Sequence, residues 1–79
     1  MNDYDYMLIA LKEARKAYAN DEVPVGAVIV QNNKIIGKAY NKKEQNKCAL
    51  LHAELIAIEK ACKKVSNWRL VDSTIYVTL

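Results

Sequence analysis

Val25-Gly26-Ala27-Val28-Ile29-Val30, followed by Gln31-Asn32-Asn33-Lys34 and then Ile35-Ile36-Gly37-Lys38-Ala39-Tyr40, is the stretch on which the fold turns. The first run is β-branched and almost continuously apolar, which suits a central strand covered on both faces. Two asparagines, side chains that tolerate positive φ, separate it from the second run, so Ile35 to Tyr40 is expected to fold back as an antiparallel hairpin partner. Gly37 inside that partner marks a bulge or a close backbone approach.

Upstream, Met7, Ala10, Leu11, Ala14, Ala17 and Tyr18 recur at the spacing of one helical face, which predicts a first helix over Tyr4 to Ala19. Asn2 or Asp3 can cap it, and Asn20-Asp21 ahead of Pro24 stops it. Downstream, Asn41 to Leu51 has neither period and reads as a polar loop. Leu51, Leu55, Ile58, Cys62 and Val65 then form a stripe that predicts a second helix over Leu51 to Lys64. Ser66-Asn67-Trp68-Arg69 breaks it, and Thr74 to Leu79 alternates polar with apolar as a third strand does. The order α-β-β-α-β makes an α/β unit whose last crossover sets strand three parallel to a strand of the hairpin. The sequence stops inside that apolar strand, so residues 1 to 79 are expected to be the amino-terminal part of a longer single domain.

A chain of 79 residues, 52% hydrophobic and 27% charged, holds one domain at most, and at this size the core calls for support from a partner, a metal or further sequence. The formal charge is +3, unevenly spread: net −2 over residues 1 to 30 and net +5 over residues 31 to 79. The second part is the better face for a polyanion, although a lysine-rich solvated surface accounts for the same charge. Cys48 and Cys62 form neither a disulfide framework nor a complete zinc motif. With no run of eighteen apolar residues and an acidic start, the expectation is a cytoplasmic chain that meets no membrane.

The lone histidine, His52, opens the second helix with Glu54 two residues on. A neutral imidazole is a zinc ligand, and a carboxylate beside a metal-bound water can take its proton and return it to a leaving group. The pair sits about 200° apart on a regular helix, so it converges only if Glu54 reaches around the first turn. A half-buried histidine beside a solvent-facing glutamate fits the same residues.

Val23-Pro24-Val25-Gly26-Ala27, Tyr40-Asn41 with Lys43-Glu44, His52-Ala53-Glu54, Trp68-Arg69-Leu70 and Tyr76-Val77-Thr78-Leu79, in this order, resemble the bacterial tRNA-specific adenosine deaminases of the cytidine deaminase-like superfamily. The resemblance covers the whole chain and about the first half of the family's length. It implies a three-layer α-β-α fold, present here as a partial α-β-β-α-β unit. It also implies Zn2+ as cofactor, a tRNA anticodon loop as substrate, and a homodimer when complete. By the same resemblance, His52 corresponds to the histidine zinc ligand and Glu54 to the residue that shuttles protons between the zinc-bound water and the leaving amine. Asn41 corresponds to a residue that holds the nucleoside, and Val25, Gly26 and Ala27 border the base pocket, with Gly26 allowing close approach of the base. For Asn41, an ordinary turn residue ending strand two is an equal reading.

The family's Thr-Leu is followed by Glu-Pro-Cys-x-x-Cys, whose two cysteines lie beyond Leu79, so the 79-residue chain alone is expected to be inactive. Ala49-Leu50-Leu51 stands where the family commonly has Pro-Thr-Ala, and Cys48 is unusual beside it. Lys42, Lys43 and Lys47 lie in the loop beside the expected pocket, either facing RNA phosphates or simply solvated. Two other functions fit the same residues: deamination of a small nucleoside or base within the superfamily, and a non-catalytic α/β interaction module.

Overall fold

A computed structural model describes residues 1–41, 49–66, 70 and 72–78. The element order is α1 (Asp3–Ala19), β1 (Gly26–Gln31), β2 (Lys34–Tyr40), α2 (Ala49–Val65) and β3 (Ser73–Val77), the α-β-β-α-β order read from the sequence. Asn2 caps α1: its side chain accepts from the Asp5 N–H at 2.9 Å while the Asp5 carboxylate accepts from the Asn2 N–H at 3.1 Å. Asn32 and Asn33 hold φ of 52° and 59°, the left-handed pair that closes a two-residue hairpin with the right twist. A bulge follows, because Ile29 faces Gly37 whereas Val30 faces Ile35. Both readings of Gly37 therefore hold, for it is also a point of close contact with α2.

The sheet order is β2-β1-β3, with β1 antiparallel to both neighbours. β3 runs in the direction of β2, as the crossover requires, but it hydrogen-bonds to β1. No parallel ladder forms among the described residues. The crossover passes over the central strand, and β3 is left as an edge.

Period-two alternation in β1 divides the core into two layers. Val28 and Val30 pack with Tyr6 and Ala10 of α1, while Ala27 and Ile29, with Val25 just ahead of the strand, pack with Ala53, Ala57 and Ala61 of α2. α1 buries Ala10, Ala14 and Ala17 as expected, but Tyr6 and Glu13 complete its inner face, and Leu11 and Tyr18 are exposed. α2 departs further from the hydrophobic stripe. Its inner face is Ala53, Ala57 and Ala61 with half-buried Ile56, whereas Leu55 is 54% exposed, Ile58 is also exposed, and Cys62 is half-buried.

The cause lies in the strands. A Cβ on Gly37 would stand 2.4 Å from the Ala57 carbonyl oxygen and 3.1 Å from the Ala61 Cβ. On the other face, a Cβ on Gly26 would stand 2.1 Å from the Ala10 oxygen and 2.6 Å from the Ala14 nitrogen. Helix backbones packed this close to a sheet admit only alanine at the contact, so the larger apolar residues turn outward.

Glu13 is buried, and its carboxylate is held at 2.8 Å by the Lys16 ammonium, which raises the lysine's pKa through that hydrogen bond and the accompanying charge attraction. Across the sheet, the Tyr76 hydroxyl donates to the Asp3 carboxylate at 2.6 Å and its ring lies 5.3 Å from that of Tyr6, joining β3 to the start of α1.

Two outcomes follow from this packing. Gly26→Ala forces a carbon into the α1 backbone and is expected to cost about 3 kcal/mol or more in urea denaturation; a loss under about 1 kcal/mol would contradict the close packing. The hydrogen bond to Asp3, with lesser desolvation and charge contributions, pushes the Tyr76 pKa up to about 12, so its phenol favours the folded state. Its contribution is complete below about pH 10, the unfolded value, and is lost as pH rises through about 12. Absorbance titration of the tyrosines should show one late-titrating group that disappears in Tyr76→Phe and moves downward in Asp3→Asn.

Candidate active site

The start of β1 is held from both sides. On the β2 side, the Asn41 N–H donates to the Val25 carbonyl at 3.0 Å and the Asn41 side-chain amide donates to the Val23 carbonyl at 3.4 Å. On the β3 side, the Gly26 N–H donates to the Thr78 hydroxyl at 2.9 Å, and the Thr78 N–H donates back to the Gly26 carbonyl at 3.0 Å. Asn41 and Thr78 are buried at 6% and 5% exposure, so each pairing satisfies polar groups that water does not reach. Val23 and Val25 close a three-residue turn around Pro24, whose ring fixes φ there. The Val23 to Ala27 segment is thus a rigid ledge at one end of the sheet.

α2 brings the other residues to this end. It runs back over β2, so Ala57 and Ala61 lie at Gly37 while Ala53, a turn earlier, joins the cluster that contains Val25, Ala27 and Ala39. His52 and Glu54 flank that fully buried Ala53, and both are half-buried. Nδ1 of His52 lies beneath the surface, and the ring borders a groove of about 660 Å³ whose lining includes Leu55, Ile58 and Cys62.

Val25 and Ala27 thus share the α2 side of the sheet with Ala53, which His52 and Glu54 flank on the helix, and Asn41 is bonded to Val25 and Val23. The structure corrects the expectation for Gly26. The hydrogen that replaces a side chain there faces α1, on the opposite side of the sheet, so the missing Cβ makes room for a helix and not for a base. The Thr78 contact is not legible in the sequence, because a hydroxyl that meets a backbone N–H 52 residues away leaves no periodic signal. Lys42, Lys43, Lys47 and Cys48 lie outside the described residues, as do Trp68, Arg69 and Leu79.

Among the described residues, no group of three His, Cys, Asp or Glu side chains could hold a metal ion. Cys62 follows His52 by ten residues on one helix, about 15 Å along its axis, too far to share an ion with it. His52 is the one imidazole available, where a catalytic zinc takes three protein ligands.

Residues 1–79 match the cytidine and deoxycytidylate deaminase zinc-binding region throughout. The chain belongs to that deaminase family. Among curated relatives, it is 49% identical over 74 residues to the tRNA-specific adenosine deaminase of Bacillus subtilis (strain 168), covering 94% of this chain and 46% of that protein. It is 56% identical over 72 residues to the tRNA-specific adenosine deaminase of Rickettsia bellii (strain RML369-C), covering 89% of this chain and 50% of the relative. A solved structure from work on A-to-I editing by tRNA:A34 deaminases at the wobble position of transfer RNA superposes with a TM-score of 0.82 at 37% identity, over 95% of this chain and 58% of that one. The guanine deaminase of Bacillus subtilis also reaches 0.82 at 33% identity, over 98% of this chain and 50% of the other. The chain thus spans about half the length of these curated relatives.

Thr78→Val keeps the shape of the side chain but leaves the buried Gly26 N–H without its acceptor, so it is expected to destabilise the fold by about 1–3 kcal/mol. Thr78→Ser, which keeps the hydroxyl, should recover most of that loss in the same denaturation experiment. Equal stability of the valine variant and the native chain would remove the bond from the account.

Proposed function

We propose that residues 1–79 are the amino-terminal part of a zinc-dependent deaminase that converts adenosine to inosine at the wobble position of a tRNA. The observation that carries this reading is the identity with the two tRNA-specific adenosine deaminases, 49% and 56% over nearly the whole of this chain. The described residues do not complete a metal site. In this reading His52 contributes one ligand, and the others come from polypeptide outside these 79 residues.

The part this chain plays in the chemistry is positional and protonic. Replacing the C6 amine of adenine by water requires a proton at the ring nitrogen and another on the departing ammonia, and in this reading Glu54 carries both. Asn41 orients the nucleoside from the sheet end, and Val25 and Ala27 border the base pocket on the α2 side. A ledge pinned through Asn41 and Thr78 does not rearrange when the base arrives, which keeps orientation inexpensive. The base must leave its stack to reach such a site, as in other base deaminases.

Among the described residues no helix is long and apolar enough to cross a membrane, and a cytoplasmic place beside tRNA suits the reading. The exposed Leu55, Ile58 and Ile75, with β3 as an edge, support burial of this side in the complete domain or in a homodimer.

The likeness to a guanine deaminase favours a second reading, a small base as substrate. The complete protein is expected to deaminate an anticodon stem-loop and to leave free guanine, cytidine and adenosine unchanged; turnover of a free base with an inert stem-loop reverses the assignment. Glu54→Gln should lower kcat about 10²–10⁴-fold with zinc content kept, whereas His52→Ala should lose the zinc. The isolated 79-residue chain should hold almost no zinc, and one tightly bound zinc per chain would contradict the division of ligands.

A further inference from the structure

Glu13 is a buried carboxylate on the inner face of α1, its side chain 4% exposed, while the Lys16 ammonium that holds it at 2.8 Å is 53% exposed. One half-exposed lysine returns little of the hydration that a buried carboxylate gives up, and an apolar side chain of similar volume packs at such a position at lower cost. The pair therefore calls for a reason other than stability.

Its place in the fold supplies one. A Cβ on Gly26 would stand 2.9 Å from the Glu13 Cβ, so the Glu13 stem lies against the first residue of β1, on the face of the sheet opposite Val25 and Ala27. Gly26 pairs with Tyr40 across the β1-β2 ladder. Residues paired in this way share a face, so the Tyr40 side chain leaves the sheet on the side where α1 and Glu13 lie. Lys16, one turn after Glu13, answers to both residues: its ammonium is bonded to the carboxylate, and the Tyr40 phenol adds a smaller electrostatic attraction. β2 ends at Tyr40, and the next residue is Asn41, whose N–H and side-chain amide donate to the Val25 and Val23 carbonyls.

We propose that Glu13 is a positioning residue for Asn41: through Lys16 it holds Tyr40 against α1, and so fixes the strand end from which Asn41 orients the nucleoside. The inference rests on the reading of Asn41 and of the tRNA substrate given above. Glu13 stands across the sheet from α2, so it acts on the position of the base and takes no part in the proton transfers assigned to Glu54.

The test is a mutant cycle in the complete protein, read on deamination of an anticodon stem-loop. Glu13→Gln, which keeps the shape and removes the charge, and Asn41→Ala are made singly and together. Glu13→Gln is expected to lower kcat/KM about tenfold with zinc content unchanged, and to add less than about twofold to the loss already caused by Asn41→Ala, because its route to the substrate runs through that residue. Lys16→Gln, at an exposed position, breaks the same bond and should give the same loss within about threefold; it carries the test alone if Glu13→Gln fails to fold. A loss that multiplies with that of Asn41→Ala overturns the proposal, and so does an unchanged kcat/KM at a lowered unfolding midpoint, which would leave Glu13 a purely structural residue. A second readout needs no substrate. Hydrogen exchange at the Asn41 N–H should quicken at least about tenfold in Glu13→Gln while the Thr78 N–H, on the other side of β1, keeps its native rate. Equal exchange at Asn41 in variant and native protein, or an equal rise at both positions, overturns the proposal. Failure of the tRNA reading would show separately, as absence of stem-loop deamination by the native protein with the exchange difference intact.

Discussion

Two glycines set the distance at which the helices approach the sheet. Gly26 admits the α1 backbone on one face and Gly37 admits the α2 backbone on the other, each within a separation that a single added carbon would violate. Such contacts leave no space for side chains between backbones, which is why Ala10, Ala14 and Ala17 face inward on α1 and Ala53, Ala57 and Ala61 on α2. Dispersion then replaces bulk: small side chains give each one little area, but tight layers keep many atoms within contact range. Everything that bears on chemistry inherits this spacing. The first turns of α2 lie above the ledge at the sheet end, and its last turns lie beside the edge of β2.

The same constraint explains which parts of the fold the sequence made legible. Strands, turn and helix extents could be read, because β-branched runs, an Asn-Asn pair and helical spacing are local signals that the tertiary structure left in place. The inner face of α1 could be read in part, through Ala10, Ala14 and Ala17, and that of α2 could not. Leu55, Ile58 and Cys62 carry the strongest helical stripe, and hydrophobicity alone assigns them to the core. Packing against Gly37 selects a neighbouring stripe of alanines, which hydropathy ranks lower. That preference belongs to the strand opposite and is invisible in the helix itself. Glu13 is a stronger case, since a buried carboxylate follows only from the position of Lys16 and from the depth at which α1 is seated.

Direction and pairing separate in the same way. An α-helical crossover from β2 to β3 dictates that the two strands run alike, and they do. It does not dictate adjacency, and β1 takes the place between them because its continuous apolar run is the one segment able to be covered on both faces and paired on both edges. At the candidate site, the sequence offers His52, Glu54 and Asn41 as candidates by residue type and pattern. Thr78 and the true use of Gly26 depend on contacts across 52 residues and across the sheet, which no local spacing encodes.

In the reading proposed above, a reaction centre divided between this chain and further polypeptide places a particular demand on the part present. Its elements must hold their positions without the metal, since one imidazole cannot organise them. The hydrogen bonds at Asn41 and Thr78 meet that demand from within the fold: each is buried, each joins a strand terminus to the ledge, and neither involves His52 or Glu54. The ledge is therefore set by backbone pairing and the helix above it by alanine packing, two independent supports that converge at Ala53. Perturbing the alanine contact should tilt His52 and Glu54 together relative to Asn41, whereas perturbing Thr78 should move the ledge beneath a helix that stays in place. In that reading, orientation of the base and delivery of the proton depend on different residues, although both rest on a spacing fixed by the same pair of glycines.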